Sequence, residues 1–458
     1  MQKPREHWSS QLGLILAAAG SAVGLGTLWK VPYVIGQNGG GLFVLIYIFC
    51  VFFIGVPIFM AELLIGRKAM RGAVGTFINL GNNHAVWNTA GWLGVISSFV
   101  LVSYYSVVAG WGLNYVLMSL NQFYQGRTAE EITETFRLVE RSGDITLFWH
   151  MIFIALTVSV VYKGVREGLE YWSKFMTSAL FVLMLALCCY SLTLEGFSEA
   201  WRFIFRPNLE NFNASGAIEA LGLSFFTLSV GQGIMITYGS YMRKTDDIPQ
   251  TGAIIGSTII MASVLAGLMI FPIIFTFGFD PQGGPGLVFQ TLPFLFSKLP
   301  GAIIISSIFF ILFTFAALTS AMAMIEVVAA NAIDLWGWPR KKAVLLAGLA
   351  GFLFGIPSAL SESHTLFANW NVIYGKTFFA TMDNLLSVWL LSIGGLMVTL
   401  FVGWRLEKAL IEEEFNSGTK WCWLFKPWLF FVRWFAPLAI LIIILHSTGV
   451  IDIDKMLR

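Results

Sequence analysis

Long uninterrupted apolar stretches are the feature of this sequence that most restricts its fold. A helix that crosses a bilayer needs about 20 apolar residues, and about eleven stretches of the 458-residue chain meet that requirement. A transmembrane β-strand would be about 10 residues long with alternating polar and apolar side chains, and these stretches do not alternate. We therefore predict an all-α integral membrane protein with one polytopic domain over residues 1–458. The stretches are residues 10–36, 41–65, 88–122, 146–163, 172–194, 215–241, 250–278, 302–334, 342–358, 374–404 and 427–447.

The composition agrees with this fold class and excludes several others. Hydrophobic residues make up 57% of the chain and charged residues 12%, about half the charged fraction of a soluble domain. A net charge of +2 argues against a nucleic-acid-binding protein, and 15% aromatic residues argue against intrinsic disorder. The four cysteines are too sparse for a disulfide scaffold. The lipid bilayer is thus the expected partner of most of the surface.

The distribution of lysine and arginine predicts the orientation in the membrane. Short cytoplasmic loops carry an excess of these residues. With a cytoplasmic N-terminus, 17 of the 28 lysines and arginines fall in cytoplasmic segments and 9 in the opposite segments, the latter including Lys455 and Arg458. We therefore expect a multi-pass protein of the cell (inner) membrane whose N-terminus is cytoplasmic.

The first and sixth candidate spans both carry paired glycines near their centres. The first contains Gly24-Leu25-Gly26 and the sixth contains Gly231-Gln232-Gly233. Glycine costs about 1 kcal/mol relative to alanine in a helix interior, so paired glycines favour unwinding, which at membrane depth is tolerated where the backbone lines a cavity. An offset of five spans is what an inverted-repeat transporter with a midplane site would have. The alternative is close helix packing, because Gly20-x-x-x-Gly24 is also a small-residue contact motif.

Few ionisable residues lie within the candidate spans. Those nearest the centres of the candidate spans, or otherwise singled out, are Lys30, Glu62, Glu326 and Asp383, with Asp334 at a helix end. Such residues are costly in hydrocarbon and normally face the interior of the helix bundle, either in a functional site or in a structural hydrogen bond. Lys30 could also extend to the interface. The histidines show no metal-ligand spacing and no nucleophile–base motif is present, so the sequence predicts that the protein is not an enzyme.

Several short motifs occur along nearly the whole chain. They are Arg5-Glu6-His7-Trp8, the segment from Gly13 to Pro32, Gln37-Asn38-Gly39-Gly40-Gly41, Tyr104-Tyr105, Phe225-Phe226-Thr227-Leu228-Ser229, Tyr241-Met242-Arg243-Lys244 and Leu318-Thr319-Ser320. Together they resemble the neurotransmitter:sodium symporter family, and the eleven-span layout looks like its bacterial amino-acid transporters. The resemblance implies the LeuT fold, with two inverted five-helix repeats at about residues 8–194 and 215–405 and an extra span at about 427–447.

The resemblance implies a substrate site where the first and sixth spans unwind. The substrate carboxylate would meet the N–H groups of Leu25 and Gly26 and the Tyr105 hydroxyl, and the amine would meet backbone carbonyls. The pocket would suit a hydrophobic or mid-sized neutral side chain. The implied substrate-binding residues are Ala22, Leu25, Gly26, Leu101, Val102, Tyr105, Phe226, Thr227, Ser229, Gln232, Ala321 and Met324.

The second sodium site of the family is matched at every position. Its ligands would be the carbonyls of Gly20, Val23 and Ala316 and the hydroxyls of Thr319 and Ser320. Five oxygens suit a hard cation such as Na⁺, although each hydroxyl could alternatively bond to a carbonyl of its own helix. The residues of the family's two gates are matched as well. The outer gate would be formed by Lys30 and Asp383. The inner gate would be formed by Arg5 and Asp334, which Trp8 and Tyr241 flank.

The first sodium site departs from the family pattern. The family usually has Asn-x-x-Arg where this chain has Thr27 and Lys30, an Asn ligand where Ile259 stands, and Gln where Leu223 stands. The site would retain oxygens of Ala22, Thr27 and Thr227, but an apolar Ile259 cannot replace an oxygen ligand. We therefore expect coupling to one Na⁺, held at the second site.

Chloride is not expected to bind tightly. Tyr47, Thr227 and Ser263 match the chloride-site pattern of the family, but Leu223 and Ile259 remove two polar ligands. The sequence thus favours a sodium-coupled symporter of neutral amino acids that works by alternating access. Three alternatives remain open: the same fold with proton or other coupling, a different zwitterionic solute, and a solute sensor or channel.

Overall fold

The computed structural model describes residues 5–208, 214–279, 285–363 and 369–451. Within these ranges the chain is almost entirely helical and contains no strand, as the sequence predicted. Lys455 and Arg458, which entered the charge comparison, lie outside the described residues. The end of the molecule that carries Arg5 is called the N-terminal face below.

Nine helices in the described ranges are long and apolar enough to cross a membrane, and one bent pair of helices forms a tenth candidate span. Span 1 consists of Gln11–Ala22 and Gly26–Gln37, whose axes differ by 50°. Span 6 consists of the shorter helices Ala214–Thr227 and Ile234–Gly239. The nine continuous helices are span 2 (Gly41–Ala69), span 3 (Ala85–Leu120), span 4 (Gly143–Val161), span 5 (Val165–Ser191), span 7 (Ile248–Thr276), span 8 (Ala302–Trp336), span 9 (Arg340–Ala359), span 10 (Phe378–Arg405) and span 11 (Cys422–Ser447).

Short helices connect several spans. Ala129–Arg141, between spans 3 and 4, begins with a capping box in which the Thr128 hydroxyl accepts from the Glu131 N–H and the Glu131 carboxylate accepts from the Thr128 N–H. Its strongly amphipathic sequence places Ile132, Phe136 and Val139 inward. The other connecting helices are Ala73–Leu80, Phe197–Phe205, Thr291–Ser297, Trp370–Tyr374 and Lys408–Asn416.

The ends of the spans follow local sequence rules. Span 1 begins where the Ser10 hydroxyl accepts a hydrogen bond from the Gly13 N–H, and span 7 begins where the Asp247 carboxylate accepts from the Gln250 N–H. Span 8 ends at Gly337, whose φ of 64° is a left-handed conformation that glycine adopts without steric cost. These signals fix the helix boundaries near the loops but not the breaks at the centre.

Spans 3 and 8 form the centre of the bundle, and the broken span 1 packs against spans 5, 7 and 8. The core is continuous and contains residues from every span. Exposed apolar side chains lie along the outward faces of other spans, such as Leu345, Leu349 and Leu353 on span 9. Such apolar faces suit contact with lipid. The polar side chains near the breaks of spans 1 and 6, by contrast, are buried inside the bundle.

Candidate substrate and ion site

Both helix breaks occur at the predicted glycine pairs. The first half of span 1 ends at Ala22, and the second half begins at Gly26. In span 6, residues 228–233 join the two halves, and Ser229, Gly231 and Gly233 all have positive φ angles of 54°, 79° and 69°. Because serine rarely adopts this conformation, the surrounding structure must hold Ser229 in place.

Gly231, at the break in span 6, is a position where a side chain could not be accommodated. A Cβ atom there would lie 2.6 Å from the Leu391 carbonyl oxygen of span 10, in addition to the strain of its positive φ. The Gly231 N–H, which the break releases from the helix, donates to Glu62 Oε1 on span 2 over 2.7 Å. The fully buried Glu62 therefore contacts the break in span 6 directly.

A small cavity of about 20 Å³ lies between the two breaks, a volume sufficient for about one water molecule. Ten of the twelve predicted substrate-binding residues line it. The predicted residues on the lining are Ala22, Leu25, Gly26, Leu101, Tyr105, Phe226, Thr227, Ser229, Gln232 and Met324, and Ser21, Gly24 and Ser320 complete it. The structure therefore brings these predicted residues together around one cavity, and it adds Ser21 and Gly24 to its lining.

Val102 and Ala321 do not line the cavity, contrary to the prediction. Both are fully buried, and Val102 lies toward span 9, where its Cγ1 would be 3.5 Å from a Cβ at Gly351. Helix periodicity explains the difference, because Leu101 and Tyr105 are one turn apart and share a face, whereas the next residue is rotated by roughly 100°. The same reasoning separates Ala321 from the cavity-lining Ser320 and Met324.

Backbone groups released at the first break meet polar groups of spans 3 and 8. The Leu25 N–H donates to the Tyr105 hydroxyl over 3.2 Å. The Ser320 hydroxyl donates to the Ser21 carbonyl over 2.9 Å. Gly24 allows this approach, since a Cβ there would lie 2.3 Å from the Ser320 hydroxyl oxygen. The predicted carboxylate-binding groups are thus adjacent on one side of the cavity.

Four of the five oxygens predicted for the second sodium site are brought together between spans 1 and 8. The Thr319 hydroxyl lies 2.7 Å from the Gly20 carbonyl oxygen and 3.1 Å from that of Ala316. The Ser320 hydroxyl lies 3.2 Å from the same Ala316 carbonyl oxygen. The fifth residue, Val23, terminates the first half of span 1. All four oxygens are of the type that a hard cation prefers, so the donor set fits Na⁺.

The first sodium site, unlike the second, includes an apolar residue at one of its predicted ligand positions. Ile259 is fully buried and supplies no oxygen from its side chain. The Thr27 hydroxyl donates to the Ala22 carbonyl over 3.2 Å, so two of the retained oxygens bond to each other. The Thr227 hydroxyl donates to the Leu223 carbonyl over 2.9 Å and lies 2.8 Å from the Tyr47 hydroxyl.

The predicted inner gate is closed at the N-terminal face. Arg5 Nη1 donates to both carboxylate oxygens of Asp334, over 2.6 and 2.7 Å, and its other nitrogens donate to the Ser240 hydroxyl. Trp8 Nε1 donates to the Tyr238 carbonyl. The Arg5–Asp334 pair lines an open vestibule of about 1730 Å³ that shares no lining residue with the central cavity. The gate therefore separates the two spaces.

A second ion pair at this gate was not predicted. The fully buried Glu326 carboxylate accepts from the Tyr241 hydroxyl over 2.5 Å and from Arg340 Nη2 over 2.7 Å. Arg340 also donates to the Val161 carbonyl at the end of span 4, and the Arg5 guanidinium lies 4.9 Å from the centre of the Tyr241 ring. The sequence signalled Glu326 as an intramembrane carboxylate, but Arg340 was indistinguishable from an ordinary loop cation.

The outer gate differs from the prediction, because Lys30 and Asp383 do not form an ion pair in this structure. The Lys30 ammonium lies 5.1 Å from the centre of the Phe226 ring, and Phe226 also lines the central cavity. Asp383 accepts from the Tyr104 hydroxyl over 3.0 Å and from the Ser387 hydroxyl over 3.3 Å. Lys30 therefore makes a cation–π contact with a cavity-lining residue where an ion pair was expected.

The family profile of the sodium:neurotransmitter symporters matches residues 5–135 and 121–453. The chain belongs to this family. The sodium:neurotransmitter symporters are transporters and not enzymes, as the sequence predicted. The chain is 38% identical over 452 residues to an uncharacterized sodium-dependent transporter, YhdH, of Bacillus subtilis (strain 168), covering 98% of this chain and 99% of the relative. An uncharacterized sodium-dependent transporter of Haemophilus influenzae is 32% identical over 455 residues, covering 97% and 98% of the two chains.

The fold agrees with membership of the sodium:neurotransmitter symporter family. The crystal structure of MhsT in complex with L-phenylalanine superposes with a TM-score of 0.88 at 38% sequence identity, and the match covers 96% of this chain and 99% of MhsT. The predicted LeuT fold is therefore confirmed. This protein is a multi-pass, sodium-dependent transporter of the sodium:neurotransmitter symporter family.

Proposed function

We propose that this protein is a symporter that uses the Na⁺ gradient to accumulate a mid-sized neutral amino acid by alternating access. The carrying observation is the small cavity between the breaks of spans 1 and 6. Its lining includes Leu25, whose N–H is bonded to the Tyr105 hydroxyl, and Ser320 of the predicted ion site. A zwitterion inside a membrane needs hydrogen bonds to both of its charges, and broken helices offer such groups.

Each charge of the amino acid has a proposed partner. The carboxylate meets the N–H groups of Leu25 and Gly26 and the Tyr105 hydroxyl, and the amine meets carbonyls of Ala22, Phe226 and Thr227. The Leu25–Tyr105 hydrogen bond supports this assignment because it brings two of the three anion-binding groups together. Phe226 covers the site, so it must move for the amino acid to enter.

One Na⁺ accompanies each amino acid in this proposal. It binds at the second site, through Gly20, Val23, Ala316, Thr319 and Ser320. The convergence of four of these oxygens supports that site. At the first site, the buried Ile259 provides no oxygen ligand, which supports the loss of that site.

Chloride has no tight site in this proposal. Tyr47, Thr227 and Ser263 would be its remaining ligands, because the buried apolar side chains of Leu223 and Ile259 offer chloride no polar group. Replacing chloride with gluconate should leave transport unchanged, and a loss of transport in gluconate would contradict this part of the proposal.

We also propose a cytoplasmic N-terminus in the inner membrane, and repeat boundaries near residues 8–194 and 215–405 with an extra span near 427–447. The excess of lysine and arginine in the segments on the side of the N-terminus supports the orientation. Arg5 and Asp334 then form the cytoplasmic gate, and Lys30, Phe226 and Asp383 belong to the outer gate.

Uptake into proteoliposomes tests the proposal. The probe is an equimolar mixture of radiolabelled neutral L-amino acids, offered with an inward Na⁺ gradient, with choline in place of Na⁺, or with a pH gradient and no Na⁺. We expect accumulation above the outside concentration with Na⁺ alone. Accumulation driven by the pH gradient without Na⁺ would favour proton coupling, and flux without accumulation would favour a channel.

A further inference from the structure

The polar part of the central cavity contains groups that nothing in the described protein satisfies. Gln232 is 1% exposed, and neither its side-chain oxygen nor its side-chain nitrogen has a hydrogen-bond partner among the described residues. The hydroxyl of Ser21 on the same cavity wall is likewise without a partner in the described ranges. Buried amides are almost always paired, because an unpaired donor or acceptor loses its hydration without compensation.

The backbone holds Gln232 in this position. Its carbonyl accepts from the Ser98 hydroxyl of span 3 over 2.7 Å. Its neighbours Gly231 and Gly233 have positive φ angles, and a Cβ at Gly231 would lie 2.6 Å from the Leu391 carbonyl oxygen. The segment cannot rotate without disturbing these contacts, so the amide remains on the cavity wall.

We propose that Gln232 recognises a carboxamide at the end of the transported side chain, which makes glutamine and its shorter homologue asparagine the preferred cargo. This inference rests on the proposed function, because it assigns the cargo of the same site. A carboxamide carries a donor and an acceptor side by side, so it satisfies both unpaired groups of the Gln232 amide at once. The apolar Leu101 and Met324 on the same lining suit the methylene groups of such a side chain.

Other side-chain ends fit this wall less well. An apolar end would leave both Gln232 groups unpaired. A carboxylate would accept from the amide nitrogen only, and the cavity lining contains no lysine, arginine or histidine to balance its charge. A single hydroxyl has one oxygen, so it cannot pair side by side with both polar atoms of the Gln232 amide as a carboxamide does.

Thermal unfolding of the full-length protein in detergent, in NaCl, gives the affinity of each amino acid from the concentration that raises the melting temperature. The compounds are L-glutamine, its apolar analogue L-norleucine, L-glutamate and L-homoserine. We expect L-glutamine to bind at least about tenfold more tightly than each of the others, since an unpaired buried polar group is costly. Equal or tighter binding of L-norleucine or L-homoserine would overturn the proposal.

The variant Gln232→Met tests the residue itself. It keeps the length of the side chain and removes both polar groups, so the preference for L-glutamine over L-norleucine should fall by about tenfold. Met324→Leu, an apolar exchange on the same cavity wall, should alter both affinities together and preserve their ratio. An unchanged ratio in Gln232→Met would contradict the proposal.

Two failures can be told apart in these measurements. If no amino acid shifts the melting temperature in NaCl, the proposed amino-acid symport is wrong. If L-norleucine stabilises the protein as strongly as L-glutamine, symport stands and only the carboxamide specificity is wrong. The wild-type comparison decides between these outcomes even if Gln232→Met does not fold.

Discussion

The hydroxyl of Thr319 lies 2.7 Å from the carbonyl oxygen of Gly20, and this contact joins span 8 to the first half of span 1 just before its break. Gly20 permits the approach, since a Cβ at that position would lie 3.1 Å from the Thr319 Cβ. An ion bound at these oxygens would connect a scaffold helix to a helix that carries substrate-binding groups. Ion binding and substrate binding are therefore coupled through span 1 in this account.

Replacing Thr319 with valine should weaken Na⁺ binding. The variant retains a similar shape and removes one of five oxygen ligands, so the Na⁺ concentration for half-maximal transport should rise by at least about tenfold. The control is Thr314→Val, because the Thr314 hydroxyl donates only to the Phe310 carbonyl of its own helix. An equal effect in both variants would indicate a general change in span 8 and contradict the ligand role.

Breaking the Arg5–Asp334 pair should loosen the N-terminal segment. Asp334→Asn removes the charge that accepts two hydrogen bonds from Arg5, and hydrogen bonds to charged groups contribute about 1.5–3 kcal/mol. The Trp8 N–H, which donates to the Tyr241 carbonyl, should exchange with deuterium roughly tenfold faster. Asp247→Asn is the control, since asparagine still caps span 7. Unchanged exchange in Asp334→Asn would show that the ion pair does not hold the gate.

The outer gate should depend on the bond between Tyr104 and Asp383. Tyr104→Phe and Asp383→Asn each weaken a hydrogen bond to a charged group, and each should lower maximal transport about tenfold. Because both changes affect one interaction, the double variant should be little worse than either single variant. Tyr115→Phe removes a hydroxyl elsewhere on span 3 and serves as the control. Unchanged transport at saturating substrate, or fully additive losses, would contradict this role.

Stability should fall as the pH rises toward neutrality because of Glu140, which lies outside the spans on helix Ala129–Arg141. The pKa of Glu140 is raised from 4.5 to about 7, chiefly by burial and also by the nearby Glu362, against the opposing effect of Arg141 and Arg137. The folded protein therefore holds a proton between these two pH values that the unfolded chain releases, so its stability decreases across this window.

Glu140→Gln should remove this pH dependence. Its melting temperature should exceed that of the wild type by about 2 °C at pH 8 and match it at pH 4. Glu134→Gln, which changes an exposed carboxylate of the same helix, should leave the difference between pH 4 and pH 8 unaltered. The melting temperatures of the wild type and of Glu140→Gln are compared between pH 5 and pH 7. If both change by the same amount, the assignment to Glu140 is contradicted.

The parts of the fold that depend on local chemistry were predictable from the sequence. Continuous apolar stretches predicted the positions of the spans. The glycine pairs at Gly24 and Gly231 predicted the positions of the breaks, because the tendency to unwind depends on the residues of the segment itself. The lining of the cavity followed largely from family motifs. Val102 and Ala321 were misplaced because adjacent residues of a helix point in directions about 100° apart.

Contacts between distant, flexible side chains were not predictable. Lys30 can direct its ammonium toward Asp383 or over the Phe226 ring, and only the packing around Gly26 and Phe226 decides between them. Arg340 forms its ion pair with Glu326 because spans 8 and 9 meet at the N-terminal face. Neither contact has a periodic or motif signature in the sequence.

The ratio of Na⁺ to amino acid entering proteoliposomes tests the central claim most directly. With ²²Na⁺ and a labelled neutral amino acid measured in the same vesicles, one Na⁺ at the site formed by Gly20 and Thr319 predicts a substrate-dependent flux ratio near one. A ratio of two would mean that the site around Ile259 still binds Na⁺, and it would contradict the account.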